Sequence, residues 1–322
     1  MRIFTLFLLL GVITACDRNG GQNADSRQSA DAAPTVAYTR RMVFVGGREA
    51  APVVVAFDHL ALAAPTAVAR RAGLWRSNGD GWNEILDLGW TDEPIREPWR
   101  LIPHGPFRFL VDDAGEIEAL TIRGAERFRL APLGRIGTGS PDDLPYVRFL
   151  YGELVTGADS ITGLLVDLQP ATEGEDNGAA SSELVLTDGT QFHLVVSTPV
   201  DRTGELWLQR AERAETMTGI VVARDDSAGA DIWRLDSTLE EIKGELKVAG
   251  APLELRYDDA VSGLIAVADS VRASSPARAA DSVAAKAADA IPRPALLQVV
   301  RGWVEVRGER RNVFGVMRRA PA

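Results

Sequence analysis

Three histidines, His59, His104 and His193, supply all the imidazole chemistry of this chain, and no two stand at i, i+2 or i, i+4 spacing. Such spacing is what sets two ring nitrogens on one metal from a single element. Asp58-His59 places a carboxylate beside an imidazole, an acid–base pair by residue type. The pair lies inside the apolar run from Pro52 to Leu62, and neighbouring strand residues point to opposite faces, so the two are not expected to meet. His104, between Pro103 and Gly105, is expected at a bend, and His193, between Phe192 and Leu194, on the polar face of a strand. Acidic pairs recur at Asp112-Asp113, Asp142-Asp143, Asp225-Asp226, Glu240-Glu241 and Asp258-Asp259, but none follows the Asp-x-Asp-x-Asp-Gly pattern of a calcium loop. Adjacent acids at turns usually act as solvated turn formers. The chain has no Gly-x-Ser-x-Gly elbow, no P-loop and no strand-to-helix Gly-x-Gly-x-x-Gly; Gly137-Thr138-Gly139-Ser140 has the composition of an elbow without its spacing. These patterns predict no catalytic residue, no metal and no cofactor.

Aromatic residues give the best candidate for ligand contact. Of seven tryptophans, Trp75, Trp82, Trp90 and Trp99 fall within one stretch, separated by Asn78-Gly79-Asp80-Gly81 and Thr91-Asp92-Glu93-Pro94. Aromatics on Gly/Asp-rich loops can form a stacking platform for a sugar or a flat apolar ligand. The same residues can equally plug or cover a β core, and both readings stand at this point.

The single cysteine, Cys16, excludes an internal disulfide and any site built on several thiolates. It follows Met1-Arg2 and the apolar run Ile3 to Ile13. A helix of that length reaches roughly 16 Å against about 30 Å of bilayer hydrocarbon, so the segment has the layout of a secretory signal rather than a membrane span. Ile13-Thr14-Ala15-Cys16 resembles the lipobox of bacterial lipoproteins. The resemblance implies removal of residues 1–15, a thioether lipid on Cys16 and acylation of its new amino group, giving a palmitate-type membrane anchor. It implies an extracytoplasmic place in a bacterial envelope, and Asp17 directly after the cysteine is, in enteric lipoproteins, a signal for the inner membrane. Residues 16–35 carry no aromatic and no large aliphatic residue, the composition of a flexible tether.

The elements that must position any site read as β. The chain of 322 residues is 46% apolar and 25% charged, with a formal charge of −10, which excludes a polytopic membrane protein and a basic nucleic-acid binder. Loss of Arg2 with the signal takes the mature charge to −11, from −10 less one. Such a body is expected to stand off anionic lipid. Strands are expected at Met42-Val45, Pro52-Leu62, Leu164-Leu168, Gly204-Gln209, Met217-Ala223, Ile232-Leu235, Ile242-Val248 and Leu253-Tyr257. Hairpins are expected at Phe107-Val111 with Ile117-Ile122, around Asp188-Gly189, and at Gly308 between Leu296-Arg307 and Asn312-Arg318. A short helix is expected at Pro65-Gly73, and a helical or partly disordered excursion between two strands in the alanine-rich insertion at about 270–294. Residues 138–145, rich in Gly, Ser, Pro and Asp, are expected as a linker or long loop between a first β domain (36–137) and a second (146–322). The fold class is all-β and antiparallel, as two barrels or sandwiches with few short helices.

The closing Gly302-Trp303-Val304-Glu305-Val306-Arg307-Gly308, followed by Val313-Phe314-Gly315-Val316, resembles the last strands of double-lipocalin proteins of the hydroxyneurosporene-synthase-like type. Phe107-Arg108-Phe109 and Tyr151-Gly152-Glu153-Leu154 fit barrel strands of that pattern. The resemblance implies two lipocalin-like barrels, each with an apolar cavity, and transfers no functional residue. The sequence thus points to a non-catalytic, membrane-anchored lipoprotein that binds a small apolar ligand or an envelope partner. A lipocalin-type isomerase or hydratase, a carbohydrate-active enzyme, and a structural scaffold remain alternatives.

Overall fold

The computed structural model describes residues 36–63, 68–93, 104–112, 116–123, 128–138, 146–169, 180–199, 203–211, 213–225, 232–239, 241–256 and 294–320. Cys16, the signal, the tether, Trp99 and most of the alanine-rich insertion lie outside them. Among the described residues every regular element is a strand. The first nine are β1 (Val36–Arg48), β2 (Ala51–Ala63), β3 (Val68–Ser77), β4 (Trp82–Asp92), β5 (Phe107–Val111), β6 (Ile117–Ile122), β7 (Phe128–Thr138), β8 (Tyr146–Thr156) and β9 (Asp159–Gln169). The other eight are β10 (Ala180–Thr187), β11 (Phe192–Pro199), β12 (Gly204–Arg210), β13 (Arg213–Arg224), β14 (Ile232–Ser237), β15 (Ile242–Leu255), β16 (Ala295–Val306) and β17 (Glu309–Arg319).

Strands β1–β9 form one antiparallel sheet in the order β4-β3-β2-β1-β9-β8-β7-β6-β5, and β10–β17 close into an eight-stranded barrel. The sheet curls on itself, because Phe57 of β2 stacks on Phe107 and Phe109 of β5 at 5.9 and 5.3 Å, across strands that are not neighbours. The fold class expected from sequence is the one observed, and the three expected hairpins pair as β5–β6, β10–β11 and β16–β17. At the β10–β11 turn Gly189 takes φ +81°, which glycine adopts freely, and Asp188 Oδ1 accepts the N–H groups of Thr190 and Phe192 at 2.7 and 3.1 Å.

Two expectations are corrected. The helix over Pro65-Gly73 is replaced, from Val68 on, by strand β3: its residues are buried on both faces, and a sheet position that buries both faces overrides the helix preference of Ala and Arg. The break between the two β units is not at 138–145. Strands β7 and β8 pair on either side of that stretch, and β8 and β9 belong to the first sheet, so the sheet extends to Gln169 and the barrel begins with Ala180. Loop composition alone does not separate a hairpin connection from an interdomain linker.

Three apolar layers hold the molecule together. Met42, Phe44, Val55, Phe57 and Leu74 point into the curled sheet, and Leu184, Leu194, Leu206 and Val304 fill the barrel. Between them, Val43, Val45, Val54 and Ala56 of the sheet pack on Val185, Val195, Trp207 and Val316 of the barrel wall. The two units therefore bury each other's outer faces. Trp75 belongs to this middle layer, its ring lying over Gly73 where any Cβ would collide with it, and Trp82 packs at the layer's margin. Trp75→Ala is expected to cost about 3–5 kcal/mol in urea unfolding, the cost of an emptied core position. An unchanged midpoint would place this ring outside the core.

Candidate functional site

The inward-facing positions of the curled sheet are apolar over most of their depth and charged at one end. Residues two apart share a face, so β1 brings Arg40 inside with Met42 and Phe44, β2 brings His59 in after Val55 and Phe57, and β3 brings Arg70 in with Ala72 and Leu74. By the same alternation β4 supplies Trp90 and Asp92, β8 supplies Arg148 next to Leu150, and β9 supplies Asp167 next to Leu165. Register then assembles them: Arg40 is paired with His59, Arg70 with Trp90, and Arg148 with Asp167. Arg40 and Asp167 are 0% exposed, His59 1%, Arg70 2% and Arg148 4%.

These charges are matched. Arg40 grips Asp167 with two parallel hydrogen bonds, Nε to Oδ1 at 2.9 Å and Nη2 to Oδ2 at 2.7 Å. Arg148 Nη2 approaches the same carboxylate at 3.5 Å and its Nη1 meets Glu116 at 3.0 Å, at the solvent side of the cluster. Arg70 Nε donates to Asp92 Oδ2 at 2.8 Å, and Trp90 Nε1 donates to the same oxygen at 2.9 Å. Arg40 also lies 5.1 Å above the Phe109 ring. Burial, then the charges of Arg70 and Arg40, hold His59 well below the usual imidazole range, so it is neutral at physiological pH. The arrangement sets guanidinium groups and a neutral imidazole at one end of the packed apolar interior of the curled sheet, its cup. It suits an oxygen-bearing group on an otherwise apolar molecule, and its arginine donors suit no metal. Among the described residues no group of three His, Cys, Asp or Glu side chains gathers to hold a metal ion.

The tryptophans do not form one platform. Trp75 and Trp82 face the barrel, Trp90 faces the cup, and Trp99 lies outside the described residues. Of the described tryptophans in this stretch, Trp90 alone joins the charged cluster. Asp58 and His59 diverge as strand geometry requires: Asp58 turns to the barrel and accepts from Arg318 Nη1 at 2.9 Å. His104 stands at a tight turn, its carbonyl accepting from Phe107 N at 3.0 Å, and is exposed. His193 departs from the polar-face expectation. It is buried on the outer wall of the barrel, with Nδ1 2.8 Å from Thr187 Oγ1, and its pKa is lowered to about 4 by burial. Sequence reasoning passed over Arg40, Arg70, Asp92, Arg148 and Asp167. The available signal was a charged residue two positions from an inward apolar one on several strands, and it becomes visible only once register is known.

Two solved structures match along nearly the whole chain. Kievitone hydratase from Nectria haematococca covers 94% of this chain and 95% of its own length, with TM-score 0.50 and 11% identity. An AttH-like protein from Nitrosomonas europaea covers 94% and 98%, with TM-score 0.50 and 13% identity. No protein-family model matches the chain, and no curated protein does. These likenesses are of fold alone: an all-β, lipocalin-like architecture with two β units.

Two results follow from the electrostatics. Removing one partner of a buried ion pair strands the other charge, so Asp167→Asn is expected to lower unfolding free energy by roughly 3–5 kcal/mol; a loss under about 1 kcal/mol would show the cluster to be hydrated. His193 and His59 bind a proton less readily folded than unfolded, so stability is retained above the unfolded value and falls as pH drops below it. For His193 the window runs from about 6.5 down to about 4, at up to roughly 1.4 kcal/mol per pH unit. Urea titrations at stepped pH should show that slope, and His193→Gln should flatten part of it.

Proposed function

We propose that this chain is a lipid-anchored extracytoplasmic protein that binds a small, largely apolar molecule in its nine-stranded sheet, with an oxygen-bearing end of that molecule set against Arg40, His59, Arg70 and Arg148. The observation that carries the reading is the burial of three arginines and a carboxylate inside an apolar cup. Stability gives little reason for such a cluster, since apolar residues of similar volume in place of a buried ion pair are often neutral or stabilising. A ligand gives one. Guanidinium groups held by Asp167 and Asp92 are already aimed, and binding loses little side-chain freedom. The anchor rests on Ile13-Thr14-Ala15-Cys16 and the apolar run before it.

A second reading is favoured by His59. A neutral imidazole among arginines can polarise or relay a proton to a ligand oxygen, the chemistry of a hydratase or isomerase. The resemblance to kievitone hydratase supports this at the level of fold.

Native mass spectrometry of the mature chain carrying Cys16→Ser, followed by solvent extraction, tests the binding reading. A reproducible apolar adduct with an oxygen function is expected, lost in Arg70→Gln; a clean apo mass from repeated preparations in a native-type host would move the chain to the scaffold class. If the extracted molecule takes up oxygen from labelled water with the protein and fails to do so with His59→Gln, the enzymatic reading replaces the binding one. For the anchor, labelled palmitate should enter the wild-type protein in membranes, and Cys16→Ser should lose the label and become soluble. Label persisting in that variant would contradict the anchor.

A further inference from the structure

The nine-stranded sheet is one ladder short of a barrel. Among the described residues the strands from β1 to β4 and from β5 to β9 pair in chain order and β9 pairs with β1, but β4 and β5 are the two edges and share no ladder. Among the described residues, rings bridge the gap instead. Trp90 of β4 lies parallel to His104, with 5.1 Å between centroids and 7° between planes, and meets Phe107 at 6.4 Å. Trp90 also faces His59 at 6.5 Å. It therefore links an exposed ring, His104, to a buried one at the heart of the charged cluster. Anywhere else around the sheet, opening would break main-chain hydrogen bonds. Between the described residues of β4 and β5 it separates side chains.

The tryptophan is also tied to the cluster. Asp92 Oδ2 accepts from Trp90 Nε1 at 2.9 Å and from Arg70 Nε at 2.8 Å. One carboxylate oxygen holds the seam ring and an arginine of the ligand end together. An anion that reaches Arg70 competes with Asp92 for the guanidinium, and an Asp92 drawn out of place no longer fixes the indole.

We propose that the β4–β5 seam is a side entrance to the cup, that Trp90 is its gate, and that the molecule admitted carries an anionic end which takes Arg70 over from Asp92. The proposal rests on the ligand-binding reading above and adds to it the route and the charge of the ligand. An apolar molecule without the anion leaves the Asp92 latch shut and enters slowly. Anion and latch exchange one counter-ion for another, so the cluster keeps its charge balance while the gate opens.

The test reads the gate without a ligand. Indole N–H exchange is followed by NMR in the mature Cys16→Ser chain labelled on tryptophan. Trp207, buried between sheet and barrel, reports global opening. Trp90 is expected to exchange on the order of a hundredfold faster than Trp207, because local opening precedes global unfolding. His104→Ala, which alters an exposed residue and leaves the charged cluster intact, should speed Trp90 by about tenfold, the worth of one ring contact, with Trp207 unmoved. Trp90 exchanging at the rate of Trp207 in both proteins would overturn the gate. The second arm uses 1-anilinonaphthalene-8-sulfonate, which joins apolar rings to an anion. Its association should quicken about tenfold in Asp92→Asn, as expected when gating sets the on-rate. Fast Trp90 exchange with no uptake of this probe would keep the gate and sink the binding reading; uptake at an unchanged rate, with Trp90 exchanging only globally, would do the reverse.

Discussion

The central strands of this protein are buried on both faces, and the rest of the structure depends on that constraint. Residues Met42 to Val45 of β1 alternate between the interior of the curled sheet and the wall of the barrel, and both destinations exclude water. A register slip of one residue in β1 would exchange the two sets, turning Arg40 toward the barrel and Arg41 into the sheet interior. Register is thus fixed by two apolar layers rather than one. The polar margin of the shared layer agrees with it: Arg41 pairs with Glu183 at 2.7 Å and Asp58 with Arg318 at 2.9 Å, each joining sheet to barrel around a crevice with room for about one water.

The same constraint produces the charged cluster. Once Met42 and Phe44 face the cup, Arg40 faces it too, and the equivalent argument places Arg70, Arg148 and Asp167. Apolar walls strengthen every interaction among these groups and raise the cost of leaving any one unmatched. Three guanidinium groups meet Asp167, Asp92 and Glu116, and burial, with the charges of Arg70 and Arg40, keeps His59 neutral. The arginine donors are held in fixed geometry by carboxylates, Arg40 by Asp167 and Arg70 by Asp92.

Much of the architecture was legible because turns and apolar runs are local features. Asp188-Gly189 and Gly308 marked two hairpins, and the strands from Gly204 to Val248 fell near their expected places. What local pattern left undecided was the partner of each strand. The run Pro52-Val53-Val54-Val55 shows no alternation because both faces are apolar, so neither its neighbours nor its inward residues could be read. Arg70 lay in a stretch whose composition favours helix, and residues 138–145 looked like a linker although β7 and β8 pair across them. The candidate site was harder still. Arg40, Arg148 and Asp167 are separated by more than a hundred residues or by a hairpin, and each alone looks like an ordinary polar position on a strand. Trp90 was singled out, but for a platform with Trp75 and Trp82, which strand alternation places on the other face.

The buried charges serve either a ligand or the fold. The measurement that separates these is the paired replacement Arg40→Met with Asp167→Leu, read by thermal unfolding and by ligand content together. If the cluster exists to read a ligand, the swapped protein keeps its midpoint or gains on it, as other buried pairs do when replaced by apolar residues of like volume, and emerges without its bound molecule. A protein that unfolds on the swap, or that keeps the molecule despite it, would contradict the account.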